Sequence, residues 1–209
     1  LYDWNSSGAN TVAGTARAVK VSFDRPYNLP NRDFFTTTDI EATSWLERQG
    51  YDMSYATSVD LDGGLSSIPS RRALLLGAHD EYWTSGMRSA AEAARDGGTG
   101  LFFLGGNSVY WRSRFEASPV SGAAKRVLVV YKTTQGGIAD PVSPTGTWRD
   151  PAGINQPENA LIGQQYVGDN DNGFFPLRVS AAQGRDRVWR YTTLTSLAAG
   201  TTEDLGRYL

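Results

Sequence analysis

His79 is the one histidine in the chain, and Glu81 follows two residues later in the run Gly77-Ala78-His79-Asp80-Glu81-Tyr82-Trp83. Residues two apart share a face of an extended segment, and in a tight turn both side chains can point into one crevice. A neutral imidazole beside a carboxylate can act as a general base, or as a metal ligand with its orienting partner. The competing reading is a buried, satisfied histidine with the carboxylates capping the next helix. Position favours chemistry. Ala73 to Leu76 is an apolar run without alternation, the pattern of a strand buried on both faces. Thr84 and Ser85 can each cap a helix in which Met87, Ala90, Ala91 and Ala94 recur at helical spacing. His79 therefore falls between the carboxyl end of a strand and the start of a helix, where open α/β sheets bind ligands.

A single histidine limits the mechanisms. A His-rich zinc site is impossible; any Ser-His-Asp triad must use His79, and no Gly-x-Ser-x-Gly elbow occurs. With no cysteine either, any metal must be held mostly by carboxylate or phenolate oxygen, which suits a hard cation. A second cluster, Asn107, Tyr110, Trp111 and Arg112, follows Gly105-Gly106 and offers an amide, an aromatic wall and a guanidinium for a substrate pocket. Its alternative is a helix start with Trp111 in the core and Arg112 paired with Glu116. Asp169-Asn170-Asp171-Asn172-Gly173 reads as a turn: its glycine comes one residue early for a calcium loop.

The elements that must position these groups follow from pattern. A strand is expected over Ala18–Phe23, a helix over Thr38–Gln49 ended by Gly50, and a strand over Tyr51–Ala56. Asp60 to Gly64 forms a turn cluster. The Ala73–Leu76 strand, the Thr84–Arg95 helix and a buried strand over Gly100–Leu104 come next. Further strands are expected over Arg126–Tyr131, Phe174–Val179 and Arg187–Thr192. Residues 133–173, rich in Gly, Pro, Asn and Thr, read as an irregular excursion. Strand and helix in this alternation predict α/β architecture, a mostly parallel sheet with helices on both faces. The whole of 1–209 is expected to be a single domain.

Twenty basic against twenty-two acidic side chains give a net charge of −2, with no basic block, which argues against nucleic-acid and membrane-surface partners. No apolar run approaches bilayer-spanning length. No signal-peptide pattern is expected within this sequence, which opens on Leu1 rather than Met and is expected to be a fragment of a longer polypeptide. Localisation stays open, with the cytoplasm favoured. Oligomeric state, whether a homo-oligomer or an assembly with a small partner subunit, is equally open.

Several segments together resemble the carboxy-terminal region of the large (β) subunit of N,N-dimethylformamidase. They are Leu1-Tyr2-Asp3, Val21–Tyr27, Trp45–Asp52, Gly77–Trp83, Gly105-Gly106-Asn107 with Tyr110-Trp111-Arg112, and Thr145–Pro151. The resemblance implies a three-layer α/β sandwich similar to class I glutamine amidotransferases, without their cysteine. It also implies a mononuclear Fe(III) site of two tyrosines and one glutamate, with a nearby histidine, hydrolysing a formamide C–N bond in a small-molecule amide substrate. Glu81 and His79 match the glutamate and the histidine; one tyrosine falls on Tyr2, and the other lies before Leu1. A fragment of this kind could keep the fold and lose the metal, leaving a non-catalytic ligand-binding domain. A third reading, a carbohydrate-active domain, rests on surface aromatics at Trp4, Trp83, Trp111 and Trp148. It lacks a spaced pair of carboxylates, since Asp80 and Glu81 are adjacent.

Overall fold

The computed structural model describes residues 18–25, 39–64, 71–77, 79–133, 138–168 and 175–208. Tyr2, Trp4 and the Asp169–Gly173 turn fall outside these residues. The strands are β1 (Lys20–Ser22), β2 (Ala73–Leu76), β3 (Tyr82–Thr84), β4 (Gly100–Phe103), β5 (Trp111–Glu116), β6 (Val127–Val129), β7 (Phe175–Ser180) and β8 (Thr202–Tyr208). The helices are α1 (Ile40–Arg48), α2 (Ser58–Asp62), α3 (Ser85–Asp96) and α4 (Asn159–Ile162). Chain contacts divide into two compact units, Leu1–Tyr166 and Val167–Leu209.

In the first unit a four-stranded sheet runs in the order β1-β6-β5-β3. β6 is antiparallel to both β1 and β5, whereas β3 runs parallel to β5 with Tyr82 opposite Trp111. β2 and β4 form a separate parallel pair. In the second unit β7 and β8 pair antiparallel, and short 3-10 turns occupy Gln183–Arg185, Arg187–Trp189 and Thr193–Ser196.

The longest helix owes its start to its cap. Thr84 Oγ1 accepts the Met87 N–H at 3.1 Å, and Met87 Sδ lies 3.4 Å from the Thr84 nitrogen, closing a reciprocal capping pair with a thioether in the usual place of a glutamate. Met87, Ala90, Ala91 and Ala94 are buried, as their spacing predicts. Met87, Ala90 and Ala91 join Leu61, Leu76, Trp83, Val109, Trp148 and Leu161 in the main core. α1 begins after Asp39 and gives way at Gly50, whose φ of +81° a side chain would resist. α2 was not expected: Thr57 and Asp60 form a capping box, so the first part of the Asp60–Gly64 turn cluster completes one helical turn.

The three-layer, mostly parallel, glutamine amidotransferase-like sandwich is not the fold of this chain. Among the described residues, the strands divide into several small sheets and only four short α-helices form. Leu74, Leu101 and Phe103 pack on the core, but Phe102 and Leu104 are about half exposed, so the apolar runs are covered on one face rather than two. The strand expected over 51–56 does not form. Tyr51 and Tyr55 are exposed, and Asp52 and Ser54 bond Arg71 instead of presenting a ladder. Arg126–Tyr131 contains β6, but antiparallel to its neighbours. Arg187–Thr192 holds a 3-10 turn where a strand was predicted.

Candidate functional site

The His79–Trp83 corner is built by zipping two main-chain segments together. The Asp80 carbonyl accepts the Val109 N–H at 3.0 Å, and the Glu81 carbonyl accepts the N–H groups of Tyr110 and Trp111 at 3.1 and 2.8 Å. To make these bonds the loop after β4 turns through two non-glycine residues at positive φ, Asn107 at +55° and Val109 at +56°. For a β-branched residue this conformation costs on the order of 1–3 kcal/mol and persists only where surroundings enforce it. Full burial of Val109 in the core, together with its bond to Asp80, supplies that enforcement.

Glu81 leads into β3, and its Oε1 accepts the Trp111 indole N–H at 2.9 Å. Among the described residues the other carboxylate oxygen takes no hydrogen bond, so Glu81 is oriented and still has a donor oxygen to offer. Trp111 is buried; Tyr110 packs edge-on against it at 5.0 Å, and Lys132 Nζ lies 4.7 Å from its ring centroid and 5.4 Å from that of Tyr82. Arg149, from the 133–173 excursion, lies over Tyr110 at 5.2 Å and pairs with the buried Glu158. An antiparallel bridge from Thr147 to Trp111 brings it there, with the Arg112 N–H bonded to the Gly146 carbonyl at 2.8 Å.

His79 stands exposed on the turn before β3, and Asp80 is half-buried. Burial pushes the Asp80 carboxyl up to about 6; the Trp83 indole opposes this and the nearby Asp39 carboxylate adds to it. The corner thus holds a carboxyl able to carry a proton in mildly acidic solution, which no sequence pattern marked. Asp39 lies against Gly77: a Cβ there would lie 2.8 Å from its carboxylate.

The structure gathers Glu81, Tyr110 and Trp111, with half-buried Asn107 on the strained loop beside them. It separates Arg112. Successive strand residues face opposite ways, and the Arg112 guanidinium turns to Ser85 Oγ at 3.0 Å and to the Trp148 ring at 5.9 Å. The Arg112–Glu116 pair of the alternative reading does not form: Glu116 pairs with Lys20 and Arg114, each at 2.6 Å. Trp83, Trp111 and Trp148 are each at most 1% exposed, so these three form no surface platform of the kind a carbohydrate reading needs.

Among the described residues no group of three or more His, Asp and Glu side chains could hold a metal ion. Glu81 on its own fits one position of an oxygen-donor site, a carboxylate held by an indole N–H with one oxygen open. No helix among the described residues is long and apolar enough to cross a membrane.

The sequence model of a family described as N,N-dimethylformamidase beta subunit-like, C-terminal, matches residues 1–207. The chain belongs to this family. Two curated relatives, the N,N-dimethylformamidase beta subunits of Paracoccus aminophilus and of an Alcaligenes species, are each 35% identical to it over 75 residues. That stretch is 35% of this chain and 10% of each relative, so the match covers about a tenth of their length.

Proposed function

We propose that this chain is the site-bearing carboxy-terminal part of a hydrolase that cleaves the C–N bond of a small amide, with Glu81 and His79 as its working residues. The observation that carries the reading is the Trp111 indole bond, which fixes Glu81 at a strand-end corner one residue away from Asp80 and two from His79. Family membership supports the reaction class, and the relatives' name supports a formamide-like substrate.

Glu81 would hold Fe(III) together with Tyr2 and a second phenolate from outside the chain, hard donors suited to that ion. When bound, the ion supplies Lewis acidity toward an amide carbonyl and lowers the pKa of water. His79, exposed on its turn, takes a proton from the attacking water and returns one to the departing amine. Water adds to the carbonyl carbon, the C–N bond breaks, and a carboxylic acid and an amine leave. Asn107, Tyr110 and Trp111 wall the corner on one side. The relatives' designation as a beta subunit supports assembly with a different subunit.

Elemental analysis of the purified full-length protein, with a visible spectrum of the same sample, tests this. Near-stoichiometric iron with a tyrosinate-to-iron charge-transfer band is expected, and Glu81→Gln should lose iron and activity while the far-UV spectrum is unchanged. Amide hydrolysis by iron-free protein, or full iron retention by Glu81→Gln, would overturn it.

A further inference from the structure

A cleft in the first unit lies away from the Glu81 corner, on the side of β5 to which Arg112 turns. It has a volume of about 290 Å³ and is walled by Ser85, Arg88, Ser89, Arg112, Trp148 and Gln156. Ser85, Arg88 and Ser89 come from the first turns of α3, one face of the helix by their spacing. Trp148 forms the floor, flanked by two cations: Arg88 at 4.9 Å from its ring and Arg112 at 5.9 Å. Its indole nitrogen is buried without a hydrogen-bond partner among the described residues.

The two arginines differ. Arg88 is buried and fully engaged: Nε donates to Glu92 at 2.8 Å, and its two Nη atoms donate to the carbonyls of Gln156 and Pro157 at 2.7 and 3.2 Å. Glu92, the acidic residue in this wall, is thereby committed to Arg88. Arg112 is half-buried and gives only Nε, to Ser85. Among the described residues both of its Nη groups lack an acceptor, so the planar fork that matches an oxyanion faces the cleft unspent. Two guanidiniums on one indole, with a single carboxylate between them, leave the cleft net positive, and the Ser85 and Ser89 hydroxyls add neutral donors.

We propose that this cleft is a binding site for a small oxyanion, a carboxylate or a phosphate, taken bidentately by Arg112 with the serine hydroxyls of α3 alongside. The site is independent of the amide-hydrolase reading, because none of its residues is placed in that chemistry and it lies across β5 from Glu81.

Isothermal titration of the full chain at low ionic strength, with succinate in one arm and inorganic phosphate in the other, tests it. Saturable binding of at least one anion is expected, and the tighter arm identifies the ligand chemistry. Arg112→Gln should weaken that binding about tenfold or more. Ser89→Asp, which places a carboxylate in the wall at an exposed position, should weaken it comparably with no change in near-UV circular dichroism. Arg126→Gln, removing a half-exposed arginine that pairs with Asp24, should leave it unchanged. Absence of saturable binding to either anion, equal binding by Arg112→Gln and wild type, or an equal loss in Arg126→Gln would each overturn the proposal.

Discussion

Trp111 serves the fold and the candidate site through one ring. Its faces are buried against Tyr110 and under Lys132, and its single polar atom orients Glu81. Replacing it with Phe keeps most of the packing and removes the N–H. Losing a hydrogen bond to a carboxylate is expected to cost about 2 kcal/mol of stability, measured by urea titration. Under the hydrolase reading the same variant should bind iron about tenfold more weakly, because the ligand loses its orienting partner. A second residue pair tests charge in the interior. The Asp140 side chain is buried beside Arg114, which donates to it through Nε and Nη2 at 2.9 and 3.0 Å. Burial would raise the Asp140 carboxyl, but bonds from Arg114, the Val142 N–H and the Thr145 hydroxyl outweigh it and hold the group below its ordinary 3.8. A carboxyl more acidic folded than unfolded stabilises the fold above pH 3.8, and that contribution is lost as pH falls through the folded value. Asp140→Asn should destabilise by about 3 kcal/mol at neutral pH. The gap from wild type should shrink as denaturant midpoints are followed below pH 4.

At the scale of elements, the junction of α2 and α3 decides how tightly the corner is held. Asp62, the last residue of α2, bonds the Thr84 hydroxyl and pairs with Lys125 at 2.6 Å. Its backbone oxygen also crowds the first turn of α3, since a Cβ on Gly86 would fall 2.7 Å from it. Alanine has the better helix propensity by about 1 kcal/mol, yet backbone cannot move aside as a side-chain tip can. Gly86→Ala is therefore expected to destabilise by about 1–3 kcal/mol overall, read from thermal unfolding. α3, β2 and β4 were legible in the sequence because periodicity, a capping threonine and apolar runs are local signals. β3 and β5 were not. Tyr82–Thr84 is too short to show a period, and β5 reads Trp-Arg-Ser-Arg-Phe-Glu. Its charges are tolerated because Arg114 meets Asp140 26 residues away and Glu116 meets Lys20 96 residues away. The same blind spot put Arg112 in one pocket with Trp111, whereas strand alternation sends them apart. Glu81 was singled out because the lone histidine pointed to it, and Trp111 was named in the second cluster, but the bond between them depends on pairing that local patterns do not encode.

For the molecule as a whole, the three fully buried indoles, Trp83, Trp111 and Trp148, all lie in the first compact unit. A chain ended after Tyr166 is expected to keep their near-UV circular dichroism and a cooperative unfolding transition. Loss of that signal would show that the first unit needs residues 167–209 to fold. Family membership does not by itself carry the glutamine amidotransferase-like layering expected for it, since small sheets and one-sided apolar strands make up the described part of this chain.

One feature of β5 constrains how such a chain can change over generations. Trp111 and Arg112 are neighbours that face opposite ways, one toward Glu81 and the other into the oxyanion cleft. Point substitutions can alter either side alone, but inserting or deleting one residue just ahead of Trp111 exchanges the two faces together. Such a frame-preserving change would set a guanidinium against Glu81, closing its open oxygen in an ion pair, and would turn the indole toward the cleft. In a library of variants, single-residue insertions and deletions between Ser108 and Trp111 should be depleted far more strongly than substitutions at the same positions.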